Sequence, residues 1–500
     1  MKKRALISVS DKSGVTDFAA GLEALGFEIV STGGTYNTLI DAGVNAISVE
    51  KVSGFPQCLD GRLKTLHPNI HGGLLAVRDD PRHMQQISEL GIELFDIAAV
   101  NLYPFRESPS IENIDVGGPA MLRAAAKNYQ YVTAIVDPED YDKILSELKA
   151  AGKVSEQLNL RLAAKAFAHT SGYDGAVAAF LNTDQLPPHL TIAYEKAMDL
   201  RYGENPHQKA ALYRQANGTT DAEQLHGKEL SFNNINDVSA ALDLLREFDE
   251  PTIVACKHAV PCGVGSGFTL EEAFNKAYAA DPVSIFGGII CSNREIDINT
   301  ARLMHEIFLE VILAPSYTPE ALDVLTVKKN VRLLKLNTAR PSNTGLEIRN
   351  VYNGLLVQQP NYMQLLPEPF KFVSKRQPTD KEMEDLLFNW KVVKHVKSNG
   401  IVVGKNLQSL GIGTGQTSRI RAACQAIEHA AQQFGSDALL GAVMASDAFF
   451  PFPDCAEVVA KAGISAIIQP GGSLKDQGTI DVCNAYDIAL VFTGIRHFRH

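Results

Sequence analysis

Apolar positions along the chain fall into short runs bounded by glycine- or proline-marked turns. Between these runs they recur at helical spacing. Residues 5–9 (ALISV) have the length of a buried strand, Asp11-Lys12-Ser13-Gly14 reads as a turn, and residues 15–25 carry a helical period closed by Gly26. Residues 27–30 read as the next strand, ended by Gly33-Gly34, and residues 36–42 as a helix closed by Gly43. Residues 97–102 read as a later strand. This alternation predicts an α/β fold with a mostly parallel sheet and helices on both faces. Residues 137–180, rich in Ala, Leu, Lys and Glu, are expected to be helical, and the polar stretch ending in Pro187-Pro188 places a domain boundary near residue 192.

The second part alternates again. Residues 252–256 and 464–469 read as buried strands. Pro470-Gly471-Gly472-Ser473 follows the second of them, a helix is expected over 479–485 and a last strand over 488–492. Residues 340–345 and 359–369 read as loops, and no short-period repeat is visible. A duplication inside this part cannot be demonstrated from the sequence. With 500 residues the chain exceeds a single core of about 250–300, so the expected domains are 1–192 and 193–500.

Composition narrows the class. Hydrophobic residues make up 45% and charged residues 21%, an ordinary globular balance. The net charge of -10 argues against a non-specific nucleic-acid binder. Seven widely spaced Cys do not form a disulfide framework, which suits a reducing cytoplasm. The opening apolar run is too short for a secretory leader, and no stretch is long enough to span a membrane.

Candidate chemistry in the first part sits at expected strand ends. Thr32-Gly33-Gly34-Thr35 joins a strand to a helix, where glycines let the backbone approach a ligand and helix-start amides suit a phosphate. Ser10 and Lys12 follow the first strand, so both turns are placed to share one phosphate. Each alone also reads as an ordinary tight turn. Arg62 and Lys64, two apart, share a face if their segment is extended, which suits an anionic substrate; a solvated basic loop is the plain alternative. His67 and His71 have metal-ligand spacing, but Pro68 and the glycines after His71 argue against a helix there, and no metal site is assigned. Asp115 in a Gly-rich turn, Tyr103 and Lys127 offer acid, base and orienting groups.

In the second part Lys257-His258 follows a strand directly. A histidine suits proton transfer near neutral pH and a lysine suits a developing negative charge. A surface pair at a strand end is the bland reading. Cys262 lacks the accompanying H-x-E and second Cys of a zinc deaminase. Gly411 to Gln416 before an expected helix over 418–434 is only loosely like a dinucleotide loop. Residues 449–454 set aromatics beside a carboxylate, suited to a flat heterocycle or simply to a core.

Taken in order, SVSDKSG (8–14), STGGT (31–35), GRLKTLHP (61–68), NLYPF (101–105), IDVGGPAMLRAAAKN (114–128), RYGENPHQ (201–208), GKELSFNNIND (227–237), CKHAVPCG (256–263), DPVSIFGG (281–288), GIGTGQTSRI (411–420), SDAFFPFPD (446–454) and RHFRH (496–500) resemble the bienzyme family joining aminoimidazole carboxamide ribonucleotide (AICAR) transformylase to inosine monophosphate (IMP) cyclohydrolase. The resemblance covers essentially the whole chain. It implies a methylglyoxal-synthase-like parallel-sheet cyclohydrolase domain, followed by a cytidine-deaminase-like α/β transformylase domain without zinc. It places Ser10, Lys12, Thr32, Gly33, Gly34 and Thr35 on the nucleotide phosphate and ribose. Arg62, Lys64, Thr65, Asn101, Asp115, Val116 and Gly117 would surround the base near Tyr103, and Lys127 matches a proton donor or acceptor. In the second site Arg201 and Tyr202 would hold AICAR, and Lys257, His258 and Asn399 match the catalytic trio. Gly287, Glu310, Arg419, Asp454, Ser473, Leu474 and Arg496 would complete the nucleotide and folate sites, with Phe449, Phe498 and His500 as walls. Glu310 stands where some relatives have Asp, and Val100 where some have Cys.

The activity so implied is formyl transfer from 10-formyltetrahydrofolate to AICAR, giving the formylated intermediate FAICAR, then closure to IMP with loss of water. No catalytic metal is expected. The resemblance also implies a cytoplasmic homodimer with transformylase sites at the subunit interface, acting on small molecules. Two other classes remain: a nucleotide-binding regulator, which the trio Lys257, His258 and Asn399 disfavours, and a nicotinamide oxidoreductase, which the incomplete Gly411–Gln416 fingerprint disfavours.

Overall fold

The computed structural model describes residues 2–215, 222–339, 345–362 and 370–500. Its chain divides into two compact units: Met1–Glu195 with Arg214–Gly218, and Lys196–Tyr213 with Thr219–His500.

The first unit is built on β1 (Arg4–Ser8), β2 (Glu28–Ser31), β3 (Ala46–Ser48), β4 (Ile97–Val100) and β5 (Thr133–Ile135), in the order β3-β2-β1-β4-β5, all parallel. Successive β1 residues serve opposite faces. Leu6 joins one core with Val30 and Ala98, whereas Ala5 and Ile7 join another with Ile29 and Ile97. Burial on both faces is why these strands read as continuous apolar runs rather than alternating ones. Helices Val15–Ala24, Gly33–Asp41, Pro68–Leu75, Gly117–Lys127, Tyr141–Ala151 and Glu156–Leu181 are among those that follow the strands.

Two expectations change here. The helix after β2 starts at Gly33, three residues before the expected position, with Thr32 as its extended N-cap. His67–His71 is helical after all: Pro68 occupies the first turn, His67 caps the end by accepting from the Asn69 amide, and the helix runs Pro68–Leu75. Proline is compatible with a helix start because its missing N–H would have no partner there. Gly73 is required by packing, since a Cβ there would collide with the Glu93 carbonyl and the Phe95 ring.

β6 (Tyr194–Leu200) and β7 (Ala210–Gln215) form a two-stranded ribbon. The second unit continues with β8 (Glu223–His226), β9 (Thr252–Lys257), β10 (Val260–Ser266), β11 (Ile289–Ser292), β12 (Val311–Ala314) and β13 (Arg332–Lys335). Then come a ribbon of β14 (Glu347–Val351) and β15 (Gly354–Gln358), and β16 (Lys371–Phe372), β17 (Ile401–Lys405), β18 (Gln408–Gly413), β19 (Val443–Ser446), β20 (Ala466–Gln469) and β21 (Ala489–Phe492). All but the two ribbons make one twelve-stranded sheet, β16-β21-β20-β19-β17-β18-β10-β9-β11-β12-β13-β8.

That order is mirrored about the β18–β10 seam, and it exposes the duplication that the sequence hid. Helix Phe232–Leu245, the β9–β10 hairpin, helix Leu270–Ala280, β11, helix Ile298–His305, β12, helix Pro319–Leu325 and β13 form one half. Helix Asp380–Val393, the β17–β18 hairpin, helix Arg419–Phe434, β19, helix Asp454–Ala462, β20, helix Asp476–Ala485 and β21 repeat it. One sheet face carries a single core shared by both halves, including Val254, Val402, Leu242 and Trp390; the other face carries a separate core for each.

Gly411 and Gly413 lie inside β18, not in a nucleotide loop. A Cβ on either would meet the carbonyls of Ala426 or Ala422, so both glycines let helix Arg419–Phe434 lie against the strand. Of the stretches expected as loops, 340–344 and 363–369 lie outside the described residues.

Candidate active sites

In the first unit the loops after β1, β2 and β4 meet at the carboxyl edge of the sheet. The Asn101 Oδ1 accepts from the amides of Ser10 (2.5 Å) and Asp11 (3.0 Å), and its Nδ2 donates to the Asp11 carbonyl (3.0 Å). Thr35 Oγ1 bonds both backbone groups of Val9, and Ser8 and Thr32 hydroxyls lie 2.6 Å apart. Asn101 and Thr35 are therefore bolts between loops. Gly33 and Gly34 stay exposed at the helix start, with the Lys64 ammonium 3.7 Å from where a Gly33 Cβ would stand. Lys12 is exposed.

Asp115 is pinned by accepting from the Gly118 amide (2.8 Å), while its own amide donates to Tyr173 (2.7 Å). Burial raises the Asp115 carboxyl above its ordinary range, against the Gly118 and Gly117 amides and the Lys64 ammonium, which pull it down. Thr65 is buried so close to Gly117 that a Cβ there would lie 2.7 Å from its hydroxyl. Tyr103, Val116 and Lys127 are exposed. Arg62 and Lys64 do not share an extended face: Arg62 is in helical conformation after a short 3-10 turn and meets Glu112 at 2.5 Å on the surface.

In the second unit Lys257 ends β9 and Val260 pairs back to it across a two-residue turn. Both turn residues have positive φ, 56° at His258 and 58° at Ala259, the conformation of the primed hairpin turns. A side chain there costs about 1–2 kcal/mol per residue. Asp237, on helix Phe232–Leu245, accepts from both turn amides, His258 at 2.9 Å and Ala259 at 2.7 Å. The Lys257 ammonium donates to the Phe286 carbonyl at 2.8 Å, and Gly287 follows with a φ of 70°, which favours glycine. Glu310 is held behind this group by Arg332 at 2.6 Å. Lys257 and His258 face a cavity of about 410 Å³ that Asp281, Thr414, Gln425 and His429 also line.

Asn399 sits on a buried polar cluster. Its Oδ1 accepts from Arg419 (2.5 Å) and its Nδ2 donates to the Gln416 carbonyl (2.8 Å). Arg419 pairs with the fully buried Asp447 (2.5 Å), which also accepts from Ser398 and the Gly400 amide. Gln416 reaches Gln425 (3.1 Å), so the cluster extends to the cavity wall.

The other expected residues have contacts of their own, and the tail that carries Arg496, Phe498 and His500 is tied to Ser398, next to Asn399, through Arg499. Arg201 stacks on Tyr202 (4.7 Å) in the β6–β7 connection. No described hydrogen bond or ring contact joins either to Lys257, His258 or Asn399. Arg496 covers Phe498 (4.4 Å), which stands 5.6 Å from His500. Ser473 is held by Asp476, while Leu474 and Phe449 are exposed. Asp454 starts helix Asp454–Ala462 and accepts from the Cys455 amide. Among the described residues no cluster of three or more His, Cys, Asp or Glu is placed to hold a metal. The sequence reading missed Asp237 and Asp447: one is buried in a helix period, and the other is a lone carboxylate after a strand.

Comparison with known proteins gives two family matches that adjoin near residues 125–130. The family described as AICARFT/IMPCHase bienzyme matches residues 125–429, and the MGS-like domain family matches residues 14–130. The chain is 53% identical to the bifunctional purine biosynthesis protein PurH of Acetivibrio thermocellus, 54% to that of Ruminiclostridium cellulolyticum and 53% to that of Bacillus cereus, with 100% of both chains covered each time. With an MGS-like parallel-sheet unit ahead of a transformylase unit, this chain belongs to the AICAR transformylase/IMP cyclohydrolase bienzymes of purine biosynthesis.

Proposed function

We propose that the second unit transfers the formyl group of 10-formyltetrahydrofolate to AICAR and that the first closes the product FAICAR to IMP. The observation that carries this is the Lys257-His258 turn, clamped at a cavity large enough for a small ligand. The AICAR amine is a poor nucleophile, its lone pair being delocalised into the ring. His258 takes the amine proton as nitrogen attacks the formyl carbon. Lys257 steadies the oxyanion that forms, and as the bond to the folate nitrogen breaks that nitrogen takes a proton, either from Lys257, which His258 then reprotonates, or from His258 itself. Asn399, fixed by Arg419, orients the carboxamide. Arg201, Tyr202, Gly287, Glu310, Arg419, Phe449, Asp454, Ser473, Leu474, Arg496, Phe498 and His500 bind nucleotide or folate. The sites are shared between two copies in a homodimer, as the family resemblance implies.

In the first unit Ser10, Lys12 and residues 32–35 take the phosphate and ribose, and Arg62, Thr65, Asn101, Val116 and Gly117 surround the base. The carboxamide nitrogen attacks the formyl carbon and water departs. Lys64, Tyr103, Asp115 and Lys127 move the protons. Burial makes the Asp115 carboxyl hold a proton more readily than an ordinary carboxylate, which suits it to proton exchange. No helix among the described residues is long and apolar enough to cross a membrane.

The test is product identity after mixing the protein with AICAR and 10-formyltetrahydrofolate. IMP with released tetrahydrofolate supports both assignments. Accumulated FAICAR refutes the first-unit assignment, and no turnover refutes both. Lys127→Ala should stop ring closure and spare formyl transfer; unchanged IMP formation refutes its role.

A further inference from the structure

We infer that Asp237 is a positioning residue for formyl transfer: its carboxylate, by accepting both amides of the His258-Ala259 turn, aims the His258 imidazole into the cavity. This rests on the reading of His258 as the proton acceptor. Neither turn residue is glycine or asparagine, the types that adopt positive φ readily, so the turn does not hold itself. Asp237 supplies the missing constraint from outside the hairpin, at 2.9 and 2.7 Å, and it comes from a helix anchored in the shared core by Val238, Ala241 and Leu245. The base is thus referenced to the rigid body of the unit rather than to its own loop. A general base must stay within hydrogen-bond reach of the proton it takes, so a loosened turn lowers the rate of the chemical step more than it weakens substrate binding.

The fold supplies its own control. Asp385 makes the same clamp in the other half, accepting from Asn406 (3.0 Å) and Leu407 (2.8 Å), whose φ values are both 56°. No candidate site residue rides on that turn. Because Asn406 takes positive φ more readily than His258, the halves are compared by kcat relative to the loss of thermal midpoint: a purely structural clamp predicts that kcat follows the midpoint in both, and a positioning clamp predicts a kcat loss beyond it only at 237.

The experiment compares the full-length Asp237→Asn, Asp385→Asn and His258→Ala proteins by kcat and KM for formyl transfer, by cyclisation of FAICAR and by thermal midpoint. Asp237→Asn should lose roughly tenfold or more in formyl-transfer kcat, with KM within about threefold and cyclisation unchanged. Asp385→Asn should lower the midpoint but keep kcat within about twofold. Adding Ala259→Gly to Asp237→Asn should restore part of kcat, because glycine takes positive φ without the clamp. Equal kcat losses at 237 and 385 relative to the loss of midpoint, or full kcat in Asp237→Asn while His258→Ala is inactive, would overturn the inference alone. Full formyl transfer in His258→Ala would remove the assignment beneath it.

Discussion

The two halves of the second unit share a skeleton and differ in what they display on it. Lys257 and Lys405 end equivalent strands, and each donates to a carbonyl three residues before the next strand, Phe286 at 2.8 Å and Leu440 at 2.7 Å. Gly287 and Gly441 follow those carbonyls with φ of 70° and 72°. Asn293 accepts from the Thr252 amide where Asp447 accepts from the Gly400 amide. A lysine hydrogen-bonded to a carbonyl and a carboxylate clamp on a hairpin are therefore properties of the fold. What separates the halves is His258 against Asn406 at the turn, and Asp447 paired with Arg419 where the first half has the uncharged Asn293.

The sharpest way to break this contrast is at the turn. His258→Ala should lower formyl transfer by about 10²–10⁴-fold, the usual contribution of a general base, whereas Asn406→Ala should change it by less than about twofold. Comparable losses in steady-state kcat would show that the halves are functionally alike. Next come the lysines. Lys257→Met should reduce formyl transfer about 10²-fold through lost oxyanion stabilisation. Lys405→Met should cost only its carbonyl hydrogen bond, about 1 kcal/mol in urea unfolding.

A third test probes where the halves touch. Glu247 and His395 follow equivalent helices and meet at 3.4 Å, with Lys394 at 3.0 Å from the same carboxylate. Burial works to raise Glu247, but His395 and Lys394 hold it down at about 2. His497 is held down to about 4 by burial and by Lys394 and His395. Both groups sit below their unfolded values, so their stabilisation is complete above about pH 6.5 and is lost as pH falls through 4 towards 2. The melting temperature should fall across that window. Glu247→Gln should be less stable at neutral pH and flatter below pH 4.5, the carboxyl's ordinary value; a parallel acid limb in both proteins contradicts this. The smallest effect is expected at the glycines. Gly287→Ala and Gly441→Ala should each cost about 1 kcal/mol or slightly more for the imposed positive φ. Only Gly287→Ala should also raise KM, its methyl lying 3.5 Å from the Phe308 ring and 4.0 Å from the Lys257 ammonium.

Much of this architecture is legible in the sequence, and the gaps have physical causes. Strands such as β1 and β9 read clearly because both faces are buried and leave unbroken apolar runs. The helix at Pro68–Leu75 was hidden because proline and glycine signal breaks locally, while Gly73 answers to a distant carbonyl. Gly411 and Gly413 misled in the same way, answering to a helix packed on their strand. The duplication is spread over a few positions, Asp237 with Asp385, Lys257 with Lys405 and Gly287 with Gly441, too sparse to stand out before the sheet aligns them. The candidates after strand ends were picked out by their chemical type. The supports Asp237 and Asp447 were not, because a lone carboxylate gains meaning only from what its oxygens accept.

The seam between the halves has a consequence for how the protein is made. β10 pairs with β18 through Gly265 and Gln408, roughly 140 residues apart. At ribosomal speeds the first half waits about 7–30 s with that strand edge bare, open to pairing with strangers. β10 reads VPCGVGS, and its proline and glycines are poor at recruiting a foreign strand. Gly263 and Gly265, which a Cβ would drive into the carbonyls of Ala277 and Ala273, thus fit a helix in the finished fold and guard an edge in the nascent chain.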